Sequence, residues 1–71
     1  MITKPWNQFL DDLDDYLWSQ GWAARGAAIK QRVGDGRIEE GNYAQVILYL
    51  TGHCYEIKEA TEIVIMLKNE R

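Results

Sequence analysis

The chain has 71 residues, eight basic and eleven acidic side chains and a net charge of −3, and this acidic balance disfavours nucleic acid as a partner. One domain of this size hides only about 60% of the surface of its unfolded chain, so it usually needs a disulfide, a metal or a second chain. Cys54 is the single cysteine and His53 the single histidine, which excludes an internal disulfide and a closed zinc site and leaves association.

The first predicted helix starts near Pro5, with Thr3 as its N-cap, and ends at Gly21. Trp18 falls about 120° from the apolar stripe of this helix on a helical wheel, among the aspartates. The stripe recurs at three- and four-residue intervals, which indicates an amphipathic helix. Its members are Trp6, Phe9, Leu10, Leu13, Tyr16 and Leu17.

The second predicted helix runs from Trp22 to Val33 and ends at Gly34. Gly26 lies between its apolar positions and predicts a close approach to another backbone. Residues 34–36 predict a turn, because two glycines bracket an aspartate.

The third predicted helix covers Tyr43 to Leu50, and Asn42 with Gln45 resembles a capping box at its start. Because nearly every position in it is apolar, it is predicted to be the central helix of the domain. Everything else then wraps around it.

The last predicted helix runs from Cys54 to Lys68 and is rich in helix-forming residues. Its apolar stripe is predicted to be Ile57, Ala60, Val64 and Leu67.

The sequence therefore predicts an all-α fold, a single domain over residues 1–71 built as a compact bundle of three to four short helices. An α+β domain with two N-terminal helices and a C-terminal hairpin is the alternative, since residues 61–66 are rich in β-branched side chains and residues 43–57 also read as two strands.

A homodimer is also predicted, because residues 63–67 are apolar all round the helical wheel and one small core cannot cover every side. The predicted dimer interface consists of Tyr49, Ile63, Ile65 and Met66.

The aspartate run of residues 11–15 predicts a solvated helix face rather than a metal site, because a helix points neighbouring carboxylates apart. A surface for a basic partner is the second prediction for this run. Trp18 strengthens this prediction, since tryptophan is enriched among binding hot spots. Coverage of Trp18 by the loop through Trp22, or by a second copy of the chain, is nevertheless the favoured explanation of its position, and binding to another protein is the alternative. The predicted partner-binding residues are Asp11, Asp12, Asp15, Trp18 and Trp22.

No catalytic residue, cofactor or metal is predicted. The adjacent His53 and Cys54 lack a third group to orient the imidazole, and residues 34–36 lack the further glycines and the lysine of a phosphate loop. The chain is therefore predicted not to be an enzyme.

The basic residues Arg25, Lys30, Arg32 and Arg37 suggest a small dimeric DNA-binding regulator of the helix-turn-helix type as the alternative function. The third helix disfavours it, because that helix has no Arg, Lys or Asn to read base edges.

The favoured function is a small acidic interaction module that binds another protein and inhibits or modulates it. The acidic faces, including Glu56, Glu59 and Glu62, resemble a nucleic-acid backbone in charge. The lone thiol and the lack of an apolar run of about 20 residues predict a cytoplasmic protein outside the membrane. Short chains of this kind often come from phages or mobile elements, which is an association of size and not a property of these residues.

Overall fold

The computed structural model describes residues 4–69, which form four helices. The helices are α1 (Trp6–Ser19), α2 (Ala23–Gly34), α3 (Tyr43–Leu50) and α4 (Ile57–Lys68). The all-α prediction is confirmed, and the hairpin alternative is wrong because the described residues contain no strand. Across this part of the chain, no helix has both the length and the hydropathy needed to cross a bilayer.

The two ends of α1 follow from its sequence. Pro5 is the N-cap with φ −54° and directly precedes the first helical residue, so the helix starts near Pro5 as predicted. The predicted cap Thr3 lies outside the described residues. At the other end Gly21 has φ +85°, and the Trp22 N–H donates to the Leu17 carbonyl at 2.7 Å. The glycine closes the helix as predicted, because only glycine adopts this left-handed conformation without strain.

The core lies on one face of α1, which packs against both α2 and α4. The prediction that α3 is the central helix is wrong. Because α3 has only eight residues and packs chiefly on α4, its Leu48 remains 73% exposed. The buried side chains of α1 are Trp6, Phe9, Leu10, Leu13 and Leu17.

Gly26 brings α2 against α1, as predicted. A Cβ atom at this position would lie 2.2 Å from Asp14 Oδ1 and 3.1 Å from Asp14 Cα. α2 ends at Gly34, as predicted, and Gly36, with φ +81°, makes the left-handed turn inside the predicted turn of residues 34–36.

Asn42 caps α3, as predicted, since its side chain accepts the Gln45 backbone N–H at 3.1 Å. The reciprocal bond of a capping box is replaced by two bonds to the preceding loop. The Gln45 side chain accepts the Glu39 N–H at 2.8 Å and donates to the Arg37 carbonyl at 3.1 Å. Gln45 therefore fixes the link between α2 and α3.

Asn42→Ala is expected to lower the free energy of unfolding by about 1 kcal/mol, because the α3 N-terminus loses its acceptor. Urea denaturation followed by circular dichroism measures the change. Asn42→Asp keeps an acceptor oxygen and is expected to stay close to the wild-type protein; an equal loss in both variants would mean that the cap is not responsible.

α4 begins at Ile57 rather than at Cys54, because the preceding residues close a tight turn. Gly52 has φ +87° and donates its N–H to the Tyr55 carbonyl at 3.1 Å. Ile57 is consequently 66% exposed, and its predicted place in the apolar stripe is wrong. The buried residues of α4 are Ala60, Ile63 and Val64.

Candidate functional site

Trp18 lies on the solvent side of α1 and is 72% exposed. The explanation that its own chain, including the loop through Trp22, covers the indole is therefore wrong. Asp11 and Asp15 precede it by seven and three residues, a spacing that places all three on one helix face. We call Asp11, Asp15 and Trp18 the tryptophan row.

The aspartates around this row differ in their partners. Lys30 Nζ lies 2.8 Å from Asp11 Oδ1 and 3.4 Å from Asp14 Oδ2, which ties α2 to the outer side of α1. The hydrogen bond that Lys30 donates to Asp11 raises the pKa of Lys30. Asp15 is exposed and forms no ion pair within residues 4–69. Its carboxylate is therefore available to a partner without breaking an internal contact.

Asp12 and Trp22 stand apart from the tryptophan row. Lys4 donates a hydrogen bond to the Asp12 carboxylate, and this bond lowers the pKa of Asp12. Trp22 is half-buried and packs edge-on against Tyr55, with the ring centroids 6.3 Å apart. The structure thus brings Asp11, Asp15 and Trp18 together and places these other two predicted partner-binding residues in contacts within the fold.

A second surface, the acidic groove, lies between α1 and α4 and has a volume of about 320 Å³. Burial raises the pKa of the Tyr55 hydroxyl in this groove. The α4 side supplies two carboxylates and a half-exposed methionine. The groove residues are Tyr16, Gln20, Tyr55, Glu59, Glu62, Ile63 and Met66.

The four residues predicted for a dimer interface occupy two environments. Tyr49 and Ile63 are only 8% exposed and belong to the core of the single chain. Ile65 and Met66 are each 50% exposed. The homodimer stays a prediction, and its accessible apolar part on α4 is Ile65 with Met66.

Tyr49 organises a third surface. Arg25 Nη1 donates to the Tyr49 hydroxyl at 3.4 Å, and the Arg32 guanidinium lies 4.8 Å from the centre of the Tyr49 ring. The His53 ring stacks on the Tyr49 ring at 4.4 Å with an angle of 11°. Of the four residues in the predicted basic cluster, Lys30 lies elsewhere, against the aspartates of α1.

The depression beside Tyr49 has a volume of about 250 Å³ and is called the arginine groove. Sequence reasoning did not find it, because Tyr49 was assigned to an apolar face. The four-residue spacing of Tyr49 and His53 was the available signal, because the tight turn after α3 brings His53 back onto Tyr49. The groove residues are Arg32, Arg37, Ile38, Gln45, Leu48, Tyr49 and His53.

His53 and Cys54 do not form an activated pair. His53 Nδ1 is the donor to the Tyr49 carbonyl at 2.6 Å, since a carbonyl oxygen only accepts. Nε2 is therefore the ring nitrogen that takes no part in this hydrogen bond. Burial raises the pKa of the Cys54 thiol, which disfavours the thiolate. Nucleophilic catalysis requires the opposite arrangement.

Among residues 4–69, no group of three or more His, Cys, Asp or Glu side chains is arranged to hold a metal ion. Comparison with protein-family models, with curated proteins and with solved structures finds no match to this chain. Function is therefore inferred from the three surfaces described above.

Proposed function

We propose that this chain is a non-enzymatic interaction module that binds a basic surface of another protein and inhibits or modulates that protein. One observation carries the proposal: Trp18 is 72% exposed on a helix face that also presents the exposed Asp15. A large indole left in water beside a free carboxylate is typical of a binding anchor rather than of a structural side chain.

The two residues have different roles in the proposed complex. Trp18 supplies affinity, because burial of a hot-spot tryptophan in a partner pocket contributes at least about 2 kcal/mol. Asp15 supplies orientation and a faster encounter with a basic surface. Asp11 adds to the negative field, and its exposed ion pair with Lys30 exchanges readily for a partner's arginine or lysine.

Trp18→Ala is expected to weaken partner binding about 30-fold or more, because the anchor is lost. The free energy of unfolding is expected to change by less than about 0.5 kcal/mol, since the side chain has few contacts within the fold. Immobilised wild-type and variant proteins are compared in pull-downs from a lysate of the native host, and the captured protein is then titrated in purified form.

Ile57→Ala is the matched control, because Ile57 is 66% exposed at the start of α4 and belongs to neither the tryptophan row nor the arginine groove. A partner that binds the Ile57→Ala variant and does not bind the Trp18→Ala variant supports the tryptophan row. Retention of every partner by Trp18→Ala overturns the proposal.

A DNA-binding regulator is the second candidate, favoured by the grouping of Arg25 and Arg32 around Tyr49. Its support is weaker, because Lys30 is paired with aspartates and α3 offers Gln45 as its only polar side chain besides the tyrosine hydroxyls. Direct phosphate contact requires salt-dependent binding to duplex DNA. Lack of binding at low salt rules this candidate out.

A further inference from the structure

The arginine groove concentrates positive charge on an acidic chain. Within residues 4–69, the ion pairs shorter than 4.0 Å involve only lysines. Arg25, Arg32 and Arg37 therefore have no carboxylate partner in the described part of the chain, although ten of the eleven acidic residues lie there. Two guanidinium groups without counter-ions line the groove, and Arg25 is bonded to the hydroxyl of its Tyr49, which together indicate an anionic ligand from outside the chain.

Tyr49, at the centre of the groove, holds two guanidinium groups in position before a ligand binds. Arg32 lies over the Tyr49 ring at 4.8 Å, and Arg25 donates to the hydroxyl of the same residue. A stacked guanidinium keeps its planar edge free for a two-pronged bond to a carboxylate. Arg37 is exposed at the rim, where it is free to move toward the same ligand.

An apolar contact accompanies the charge. Leu48 is 73% exposed and lines the groove, and buried Ile38 lies beside it. The volume of about 250 Å³ is below the roughly 300–1,000 Å³ of pockets that enclose small molecules. The ligand therefore lies across the groove and covers Leu48, as a peptide segment does.

The Tyr49 ring distinguishes a protein ligand from a nucleic acid. Sequence-independent binding of single strands requires aromatic faces on which bases stack. The Tyr49 ring already carries Arg32 and the stacked His53 ring, so it offers no free face to a base. The net charge of −3 further opposes a long phosphate backbone.

We infer that the arginine groove binds an acidic segment of another protein, in which carboxylates pair with Arg32 and Arg37 while an apolar side chain between them covers Leu48. This site is separate from the tryptophan row, so the chain has two interaction surfaces of opposite charge.

The probe is the blocked peptide Ac-Asp-Glu-Leu-Glu-Asp-NH2, titrated into ¹⁵N-labelled protein and followed by amide chemical shifts. The expected result is saturable shifts at Arg32, Arg37 and Leu48. Arg37→Gln and Arg32→Gln are each expected to weaken binding about tenfold, since each removes a charge-assisted hydrogen bond. Arg37 has no hydrogen bond from its side chain in the described residues, so its variant is expected to fold even if Arg32→Gln does not.

Lys58→Gln is the matched control, because it removes the same charge from an exposed position on α4, outside the groove. It is expected to change binding less than about twofold. Trp18→Ala is expected to bind the peptide as the wild-type protein does, so the two interaction surfaces are tested independently.

Four results overturn the inference. The first is a lack of saturable shifts, and the second is that inorganic phosphate, or a peptide with serine in place of the leucine, binds as tightly as the original peptide. The third is tighter binding of duplex DNA than of the peptide. The fourth is a dimer of the protein alone that dissociates when Arg37→Gln is introduced. The last three identify a simple anion site, a nucleic acid and a second copy, respectively, as the occupant.

Discussion

Phe9→Ala is expected to reduce the free energy of unfolding by about 3–5 kcal/mol. Phe9 is fully buried, and its ring lies 5.5 Å from that of Trp6 and 5.0 Å from that of Tyr43. The substitution therefore leaves a cavity and also breaks the aromatic contact between α1 and α3. A domain of 71 residues has a total stability of only about 4–10 kcal/mol, so the variant is expected to lose roughly a third or more of its stability.

Thermal and urea denaturation monitored by circular dichroism measure this loss. Phe9→Leu keeps most of the volume and is expected to cost less than about 1.5 kcal/mol. Leu48→Ala, at a position 73% exposed, is expected to change the value by less than about 0.5 kcal/mol. Equal effects at Phe9 and Leu48 would contradict the assignment of the core.

Local rules of helix formation were readable from the sequence. The period of apolar residues predicted α1, and Gly21 at its end has the left-handed conformation that this prediction requires. Asn42 and Gln45 predicted the start of α3 to the residue. These features depend on residues within a few positions of one another, so one sequence contains all the information needed.

The side of each helix that is buried could not be predicted in the same way. The apolar composition of α3 predicted a central helix, but packing on α4 buries only one side and leaves Leu48 exposed. The predicted place of Ile57 in the apolar stripe was wrong for a related reason, because the turn closed by Gly52 moves the start of α4 past Cys54. Composition describes the surface of a helix, and tertiary contacts decide which part of that surface is covered.

Of the candidate surfaces too, local sequence patterns predicted one and missed another. Trp18 was identified by its position on the helical wheel, because local geometry alone places it about 120° from the apolar stripe. The contact of Arg25 with Tyr49 joins residues 24 positions apart. No local pattern indicates such a contact, so the sequence predicted a basic cluster and not a groove built around Tyr49.

Gly26→Val is expected to lower the free energy of unfolding by about 2 kcal/mol, because overpacking at a close helix contact costs about 1–3 kcal/mol. The new Cβ atom would lie 3.1 Å from Asp14 Cα, and its branches extend further toward α1. Backbone cannot rotate away as a side chain can, so α1 and α2 must separate. The gain in helix propensity over glycine is less than about 1 kcal/mol and does not offset this.

Gly34→Val separates the steric effect from the effect of removing glycine. Gly34 is also helical and exposed, and a Cβ atom there would have no neighbour within 4 Å. This variant is therefore expected to match the wild-type melting temperature or exceed it slightly, whereas Gly26→Val melts about 10 °C lower. If both variants melt together, the close approach of α2 to Asp14 does not limit which side chain position 26 accepts, and the contact between α1 and α2 must be looser than these distances indicate.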